Sequence, residues 1–219
     1  LYGGAGNDLI QDSSGDDIIH GGDGNDTIDA GSGDDIVFGN DGNDLIHLGN
    51  SILGDEGLGG AGNDIIFGDE GDDALMGNDG DDWLSGGDGG DGLVGDVGAP
   101  TGQVPLYGGN DVLDGGANGD KMVGFSGDDI MLGEGGFDRF LGKLGFDWAS
   151  FEKTQNGVSV DMERREFVPD QTVPAGDAVR DFFLETEALS GSAFNDVLKG
   201  TIDTVTVDPV TGLRVGGAA

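Results

Sequence analysis

Aspartate recurs at a nine-residue interval through most of the first 150 positions of this chain. Read in nines from Gly3, the sequence gives fourteen nonapeptides, and the sixth residue of every one is an aspartate. These residues are Asp8, Asp17, Asp26, Asp35, Asp44, Asp64, Asp73, Asp82, Asp91, Asp111, Asp120, Asp129, Asp138 and Asp147. A carboxylate repeated in every unit indicates structural binding of cations, because a catalytic carboxylate pair occurs once.

Positions four and eight of the nonapeptide indicate the turn and the strand that position these carboxylates. Position four is glycine in thirteen units, with Asn118 as the exception, and position eight is apolar in all fourteen. Glycine permits backbone angles that a Cβ forbids, so the first six residues predict a turn. The last three predict a short strand whose middle side chain points into a core. One such buried side chain contributes roughly 1.5–3 kcal/mol, too little for a lone nonapeptide to fold, so the units must stack.

Stacking brings equivalent aspartates face to face. If two nonapeptides make one coil, aspartates of alternate units meet, and their carboxylates repel unless a cation lies between them. Two carboxylates and several main-chain carbonyls form a flexible all-oxygen cage that suits calcium better than magnesium. The sequence therefore predicts about ten calcium sites. The predicted pairs are Asp8/Asp26, Asp26/Asp44, Asp44/Asp64, Asp64/Asp82 and Asp120/Asp138 on one edge, and Asp17/Asp35, Asp73/Asp91, Asp91/Asp111, Asp111/Asp129 and Asp129/Asp147 on the other.

The repeat, written GGAGNDLIQ at 3–11 and GGDGNDTID at 21–29, resembles the RTX, or haemolysin-type, calcium-binding nonapeptide family. The resemblance covers 3–150 and implies an all-β parallel β-roll, a right-handed solenoid whose turns bind calcium through the position-six aspartate and turn carbonyls. It also implies type I secretion, with folding triggered by extracellular calcium. The implied main-chain ligands lie at Gly3, Gly6, Gly21, Gly24, Gly33, Gly39, Gly42, Gly62, Gly68, Gly71, Gly77, Gly80, Gly127 and Gly136.

Two eleven-residue stretches interrupt the roll expected over 1–150. Residues 48–58 predict a longer turn, and 95–105, with two prolines, predict an exposed excursion. Neither carries an aspartate at the expected place, so calcium sites there are in doubt.

A different composition follows Ser150. Periodicity alone fits helix or strand at 178–189, but the resemblance favours strands, so 151–200 is expected to form a C-terminal β cap. Within it, 191–200 resembles a diverged repeat with Asp196 and Leu198 at positions six and eight. Residues 201–219 predict a linker or the start of a truncated next region.

The net charge of −35, from 44 acidic and 9 basic residues, limits the partners of the chain. It argues against nucleic acid and against docking on or inserting into an anionic membrane. Cysteine is absent, so calcium must take the role of disulfides. Without calcium we expect the rival state, solvated disorder. Extracellular calcium sites have affinities of ~0.1–1 mM, so the fold is expected to form outside the cell, either secreted or at its surface.

No catalytic motif stands out in the sequence. The only histidines, His20 and His47, are expected on opposite sheets and are not predicted to form a metal pair. The favoured function is a calcium-binding, calcium-folded module of a secreted protein, with no catalytic or other cofactor site in this segment. The alternatives are the C-terminal portion of a secreted protease, lipase, epimerase or haem-peroxidase-like enzyme, or part of an adhesin or surface-layer protein, with the active part elsewhere.

The outward positions of even-numbered units are more apolar than those of odd-numbered units. We expect another domain, the C-terminal segment or an extracellular partner to cover this even-unit face. It comprises Ile18, His20, Ile36, Phe38, Ala74, Met76, Val94, Ile130, Leu132 and Trp148.

Overall fold

The structure, a computed structural model, describes residues 1–96, 108–136 and 138–150 in full, and six short strands between 159 and 215 by their backbone. Two nine-stranded parallel sheets make up the roll. The first sheet contains, in spatial order, β1 (Tyr2–Ala5), β3 (Ile18–Asp23), β5 (Ile36–Asp41), β7 (Glu56–Ala61), β9 (Ala74–Asp79), β11 (Gly92–Val94), β13 (Lys121–Ser126), β15 (Arg139–Leu144) and β18 (Phe182–Leu184). The second contains β2 (Leu9–Gln11), β4 (Thr27–Asp29), β6 (Leu45–His47), β8 (Ile65–Glu70), β10 (Trp83–Asp88), β12 (Val112–Ala117), β14 (Ile130–Gly135), β16 (Trp148–Ser150) and β19 (Ala188–Ser190).

This architecture confirms the predicted all-β parallel roll. Successive strands alternate between the two sheets, and each strand pairs in parallel with the strand two units away. Two nonapeptides therefore make one coil, as the stacking argument requires. The part of the chain described here contains no helix that is long and apolar enough to cross a membrane.

The strands are longer than the sequence predicts. Six-residue strands such as β3 and β5 run from position seven of one unit to position three of the next, so the turn is confined to positions four to six. Position-four glycines such as Gly24 have a φ of 118°, in the left-handed region. Asn118, the exception, has a φ of 79°, which asparagine tolerates better than most residues.

Position eight builds the core, as predicted. Side chains alternate between buried and more exposed along strands such as β3, β5 and β10, and the position-eight side chains form one continuous buried column. This column contains Ile10, Ile19, Ile28, Val37, Ile46, Ile66, Leu75, Leu84, Leu93, Leu113, Met122, Met131, Phe140 and Ala149. Position one also points inward, and it is glycine in most units because a turn carboxylate lies beside it.

The interruption at 48–58 is one unit with a longer turn, as predicted, but its core residue is displaced. Position eight is Gly57, and the space that its side chain would fill is taken by Leu48, from position one. A Cβ on Gly57 would lie 3.0 Å from Leu48 Cδ1 and 3.1 Å from Ile66 Cγ2. Leu48 is fully buried, whereas Ile52 in the longer turn is 95 % exposed.

The second interruption is not a separate unit, which corrects the division of the sequence at 95–105. The N–H groups of Gly95 and Asp96 donate to the next coil at Val123 and Gly124, so these residues occupy positions one and two. Gly108 to Asp111 complete the same turn before β12 begins. The predicted excursion is inserted within a single turn, and residues 97–107 lie outside the described residues.

Because of this insertion, every later unit belongs to the opposite sheet from the one that the sequence predicts. Strand β12 pairs with β10, and β13 pairs with β11. Ile130 and Trp148 therefore belong to the second sheet, while Lys121 and Arg139 belong to the first. The even-unit face as predicted from the sequence thus combines residues of both sheets, and that assignment is wrong.

Strands continue the roll after Ser150. Strand β18 pairs with β15, and β19 pairs with β16, which adds backbone to both sheets. Strand β17 (Ser159–Asp161) pairs in parallel with β20 (Val197–Lys199), which covers positions seven to nine of the predicted diverged repeat. Its Asp196 lies outside the described residues. Strand β21 (Thr206–Val207) pairs in antiparallel fashion with β22 (Arg214–Val215).

Replacing Leu48 tests the displaced core residue. We expect Leu48→Ala to lower the free energy of unfolding by about 2–5 kcal/mol, because it leaves a cavity that Gly57 cannot fill. Ile52→Ala, four residues away in the exposed turn, should change it by less than about 0.5 kcal/mol. Urea unfolding of both variants in saturating calcium measures the difference. Equal stabilities would contradict the role assigned to Leu48.

Candidate metal centres

The position-six aspartates form a hydrogen-bonded ladder along each edge of the roll. The N–H of Asp26 donates to Asp44 Oδ1 at 2.7 Å, and the N–H of Asp44 donates to Asp64 Oδ1 at 2.8 Å. One edge has seven such steps, through Asp8, Asp26, Asp44, Asp64, Asp82, Asp111, Asp129 and Asp147. The other has six, through Asp17, Asp35, Asp55, Asp73, Asp91, Asp120 and Asp138.

Most predicted pairs meet in this ladder, and one does not. The predicted Asp91/Asp111 pair is wrong, because the N–H of Asp82 donates to Asp111 and the N–H of Asp91 donates to Asp120, each across 29 residues. Asp111, Asp129 and Asp147 consequently continue the edge that begins at Asp8. The error follows from counting the excursion as a unit, which shifts each later aspartate to the opposite edge.

In twelve of the fifteen ladder aspartates the second oxygen is buried and has no hydrogen-bond donor. It is turned into the roll, while Oδ1 accepts the ladder hydrogen bond. A buried carboxylate oxygen without a partner is strongly unfavourable, so each one calls for a cation or a proton. The clearest cases are Asp8, Asp26, Asp35, Asp44, Asp55, Asp64, Asp73, Asp82, Asp91, Asp111, Asp120 and Asp129.

Position-one glycines leave the space into which these oxygens point. A Cβ on Gly21 would overlap Asp26 Oδ2 and lie 2.8 Å from the carbonyl oxygen of Gly39 in the next coil. At Gly68 a Cβ would likewise overlap a carboxylate oxygen, that of Asp73. The same overlap occurs at Gly3, Gly39, Gly59, Gly77, Gly86, Gly95, Gly115, Gly124 and Gly133. An unpaired carboxylate oxygen and a main-chain carbonyl oxygen therefore approach the same small space.

The predicted glycine ligands fall into two groups. Gly3, Gly21, Gly39, Gly68 and Gly77 occupy position one and lie beside the carboxylate oxygens. The others occupy position four, on the outer side of the turn. The carbonyl oxygens of several of these glycines lie close to the position-four glycine of the next coil. This second group comprises Gly6, Gly24, Gly33, Gly42, Gly62, Gly71, Gly80, Gly127 and Gly136.

The chemistry of this donor set suits a hard divalent cation. Every available donor is an oxygen, from a carboxylate or a main-chain carbonyl, and the nonapeptide turn places both kinds at each step of the ladder. Within the described ranges, no three His, Cys, Asp or Glu side chains converge on one point. A cation there would take most of its ligands from the backbone, which is the pattern for calcium rather than for zinc.

Burial raises the pKa of these carboxyl groups. It raises the pKa of Asp64 to about 6, that of Asp82 to about 7 and that of Asp129 to about 8, from an ordinary value of 3.8. Repulsion from neighbouring carboxylates adds to the rise, for example Asp111 acting on Asp129, while the ladder hydrogen bond opposes it. The charged form is thus disfavoured until a cation compensates for it.

A second ladder runs through position five in the opposite direction. The N–H of Asn25 donates to Asn7 Oδ1 at 3.0 Å, and the N–H of Asn43 donates to Asn25 Oδ1 at 3.0 Å. In the aspartate ladder the donor lies in the earlier coil, whereas here it lies in the later one. The two ladders together hold successive turns in register, which keeps the carboxylates stacked.

Sequence reasoning missed Asp55. It is 2 % exposed, accepts the N–H of Asp35 at 2.7 Å, and donates its own N–H to Asp73 at 2.8 Å. The interval of twenty residues from Asp35 to Asp55 equals that from Asp44 to Asp64 on the other edge. If two extra residues are allowed in the turn of unit 48–58, the sequence places Asp55 at position six, as one rung (one aspartate) of the ladder.

Asp96 is a second missed carboxylate, at the base of the excursion. Its Oδ1 accepts the N–H of Gly109 at 3.2 Å, and its Oδ2 accepts the Ser126 hydroxyl at 3.0 Å and the Ser126 N–H at 3.2 Å. Burial raises its pKa. With its acceptors used in this way, Asp96 joins the two ends of the insertion and the next coil.

The histidines lie apart, as predicted. His20, in β3, stacks between Tyr2 and Phe38 with ring centroids 4.7 Å and 4.6 Å away. His47, in β6 of the other sheet, stacks on Phe67 at 4.7 Å. Both take part in aromatic rows on the outer surface of the sheets.

Comparison with known families gives a match to the RTX calcium-binding nonapeptide repeat, a model of four repeat copies. It matches residues 2–37, 20–51, 58–93, 69–101 and 107–140, which together are more than half of the chain. No curated protein matches the sequence.

The raised pKa values predict how pH affects the chain in the absence of metal. These groups bind protons more tightly when folded, so the stability that they contribute is fully present below pH 3.8 and is lost as pH rises through about 6 to 8. We expect metal-free protein to gain β-structure when pH falls from about 9 to about 4, measured by far-UV circular dichroism. A signal that is constant, or that grows with pH, would contradict burial of these carboxyl groups.

Proposed function

Because the chain belongs to the RTX calcium-binding nonapeptide-repeat family, whose repeats are calcium-binding modules of secreted proteins, we propose that calcium folds this module after export. The observation that carries the proposal is the row of buried carboxylate oxygens that no hydrogen-bond donor reaches. Each step of the two ladders brings two carboxylates together inside an apolar roll. Calcium neutralises them and supplies the attraction between coils that the hydrogen bonds alone leave insufficient.

The residues proposed to hold calcium are those of the two ladders. At every step but the one that begins at Asp17, the aspartate of the earlier coil contributes an Oδ2 without a hydrogen-bond donor, the aspartate of the next coil contributes its carboxylate, and carbonyls of the turn complete the set. The thirteen steps set the upper number of such sites in the described part of the chain. When bound, calcium serves as a structural cross-link between coils.

Coupled folding follows from the charge of the chain. A net charge of −35 opposes compaction, and the roll concentrates its carboxylates along two edges. Cytosolic calcium is too low to fill sites with an affinity of ~0.1–1 mM, so the chain stays open for export by a type I machine. Outside the cell the sites fill and the roll closes. We accordingly propose a location outside the cell or at its surface.

The parent activity is proposed to lie outside this segment. The repeat solenoid is a structural calcium-binding module rather than a catalytic one. The parent is a secreted enzyme or an adhesin, and a zinc, haem or nucleophile motif elsewhere in its sequence would indicate an enzyme, whereas tandem repeats would indicate an adhesin.

The first test is a calcium titration of this chain, followed by far-UV circular dichroism. We expect a cooperative gain of β-structure at sub-millimolar to millimolar calcium, and none at equal magnesium, because magnesium retains its water ligands. A chain that is already folded in chelator at neutral pH would refute calcium-driven folding.

Asp44→Asn tests an individual rung. The amide keeps an oxygen at the hydrogen-bonded position but removes the negative charge, so we expect the calcium midpoint to rise and one or two fewer ions to bind. Asp41→Asn, three residues away and exposed, is the matched control and should leave both unchanged. If the two variants behave alike, the ladder carboxylates are not the ligands.

We also propose that another domain of the parent chain packs on the outer face of the second sheet. Position seven forms a row there in which each residue pairs with the next. A second copy of so acidic a chain would be repelled from this row by its charge. The row consists of Leu9, Thr27, Leu45, Ile65, Trp83, Val112, Ile130 and Trp148. Its members include Trp83, 47 % exposed, and Ile130, 44 % exposed.

Tryptophan fluorescence tests this packing. Acrylamide should quench Trp83 in the isolated module and quench it much less in the full-length parent, with Trp148→Phe used to isolate the signal. Equal quenching of Trp83 in the isolated module and in the full-length parent would show that the position-seven row remains exposed to solvent.

A further inference from the structure

The Asp55 rung differs from the other rungs in the residues beside it. Position one is glycine in most of the described turns and the half-buried Asp12 in the turn that ends at Asp17, but it carries an apolar side chain in two turns, Ala30 in the turn that ends at Asp35 and Leu48 in the turn that ends at Asp55. Both side chains are fully buried. Ala30 and Leu48 are therefore inside the roll, at the positions where glycine elsewhere leaves space for a carboxylate oxygen.

The steric consequence can be judged from a glycine on the same edge. A Cβ on Gly68 would overlap Asp73 Oδ2 and lie 2.6 Å from the carbonyl oxygen of Gly86. A methyl group at this position thus takes up the space between the carboxylate and carbonyl oxygens. Ala30 places a methyl group there, and Leu48 places a whole isobutyl group that continues toward Gly57 and Ile66.

The turn before Asp55 is also closed by protein groups. Ser51 Oγ accepts the N–H groups of Leu53 at 3.2 Å and Gly54 at 2.8 Å, and it donates to Asp34 Oδ1 at 2.8 Å. The longer turn is therefore held by a serine hydroxyl and linked by that hydroxyl to the preceding coil.

We infer that Asp55 is a rung without calcium. The steps from Asp35 to Asp55 and from Asp55 to Asp73 keep their backbone-to-carboxylate hydrogen bonds but hold no ion, since Ala30 and Leu48 fill the space. At these two steps a proton, rather than a cation, compensates for the buried second oxygen of Asp35 and of Asp55. This inference rests on the proposed function, and it lowers the upper number of calcium sites from thirteen to eleven. Apolar packing and the Ser51 hydroxyl hold the roll together at this unit, and its residues 52–57, which include Asp55, lie outside the stretches matched by the family model.

The central experiment compares Asp55→Asn with Asp44→Asn. Both aspartates are 2 % exposed, each accepts one ladder hydrogen bond, from Asp35 to Asp55 and from Asp26 to Asp44, and each donates its own N–H to the next aspartate of its ladder. We expect Asp55→Asn to bind as many calcium ions per chain as wild type and to keep its calcium midpoint, while Asp44→Asn loses one or two ions. Equilibrium dialysis followed by metal analysis counts the ions. A loss with Asp55→Asn equal to that with Asp44→Asn would overturn the inference.

A gain of sites provides the converse test. Ala30→Gly reopens the space beside Asp35, and the exchange Leu48→Gly with Gly57→Leu returns the core residue to position eight and glycine to position one. We expect each change to add one ion per chain, whereas Gly68→Ala should remove one. Gly135→Ala is the matched control, because a Cβ there meets nothing within 4 Å. If the exchange variant does not fold, Ala30→Gly alone decides, and an unchanged count would refute the inference.

The outcomes separate this inference from the proposed function. Wild-type protein that binds no calcium would refute the proposed function. Wild-type protein that binds calcium, loses ions on Asp44→Asn and also loses them on Asp55→Asn would refute only the calcium-free rung.

Discussion

The structure depends on one electrostatic constraint, which is the stacking of like charges inside a narrow solenoid. Each coil places a carboxylate directly over the carboxylate of the coil before it, and in most of them the second oxygen is buried without a hydrogen-bond donor. In an apolar interior two such charges repel strongly, and the backbone hydrogen bond to Oδ1 offsets only part of that cost. The stacked carboxylates therefore require protons or cations to compensate their charge in the compact roll, which fits the calcium-binding repeats of the family.

The other regular features serve this arrangement. Position-one glycines such as Gly21 leave room for the carboxylate oxygen, and position-four glycines such as Gly24 turn the chain back. The position-eight side chains supply the apolar column that coils share. No single unit has enough buried surface to fold by itself, so the contacts between neighbouring coils carry the stability. A cross-link between coils has a large effect in such a molecule because it acts on those contacts.

Both interruptions lie in turns and leave the sheets intact. The unit at 48–58 adds residues before Asp55 and moves its core side chain from position eight to position one. The excursion leaves after Asp96 and returns at Gly108, where the carboxylate of Asp96 joins the two ends. Strands in the middle of a parallel sheet have neighbours on both sides and admit no insertion, whereas a turn can grow outward into solvent. The solenoid can thus vary its edges without losing its register.

The sequence alone determined the period, the parallel all-β roll, the inward position eight and the acidic edges, because each depends on a local pattern repeated every nine residues. It also identified the carboxylates that meet in regular stretches, such as Asp26 and Asp44. The tertiary structure decided how many residues each irregular turn contains, and hence which residues are equivalent in successive coils. Which edge Asp111 joins, and whether Asp55 is a rung, depend on how many residues a turn absorbs, which local periodicity does not specify. The repeat pattern also did not predict that Leu48 fills the core space beside Gly57, since this packing arises from contacts between the two sheets.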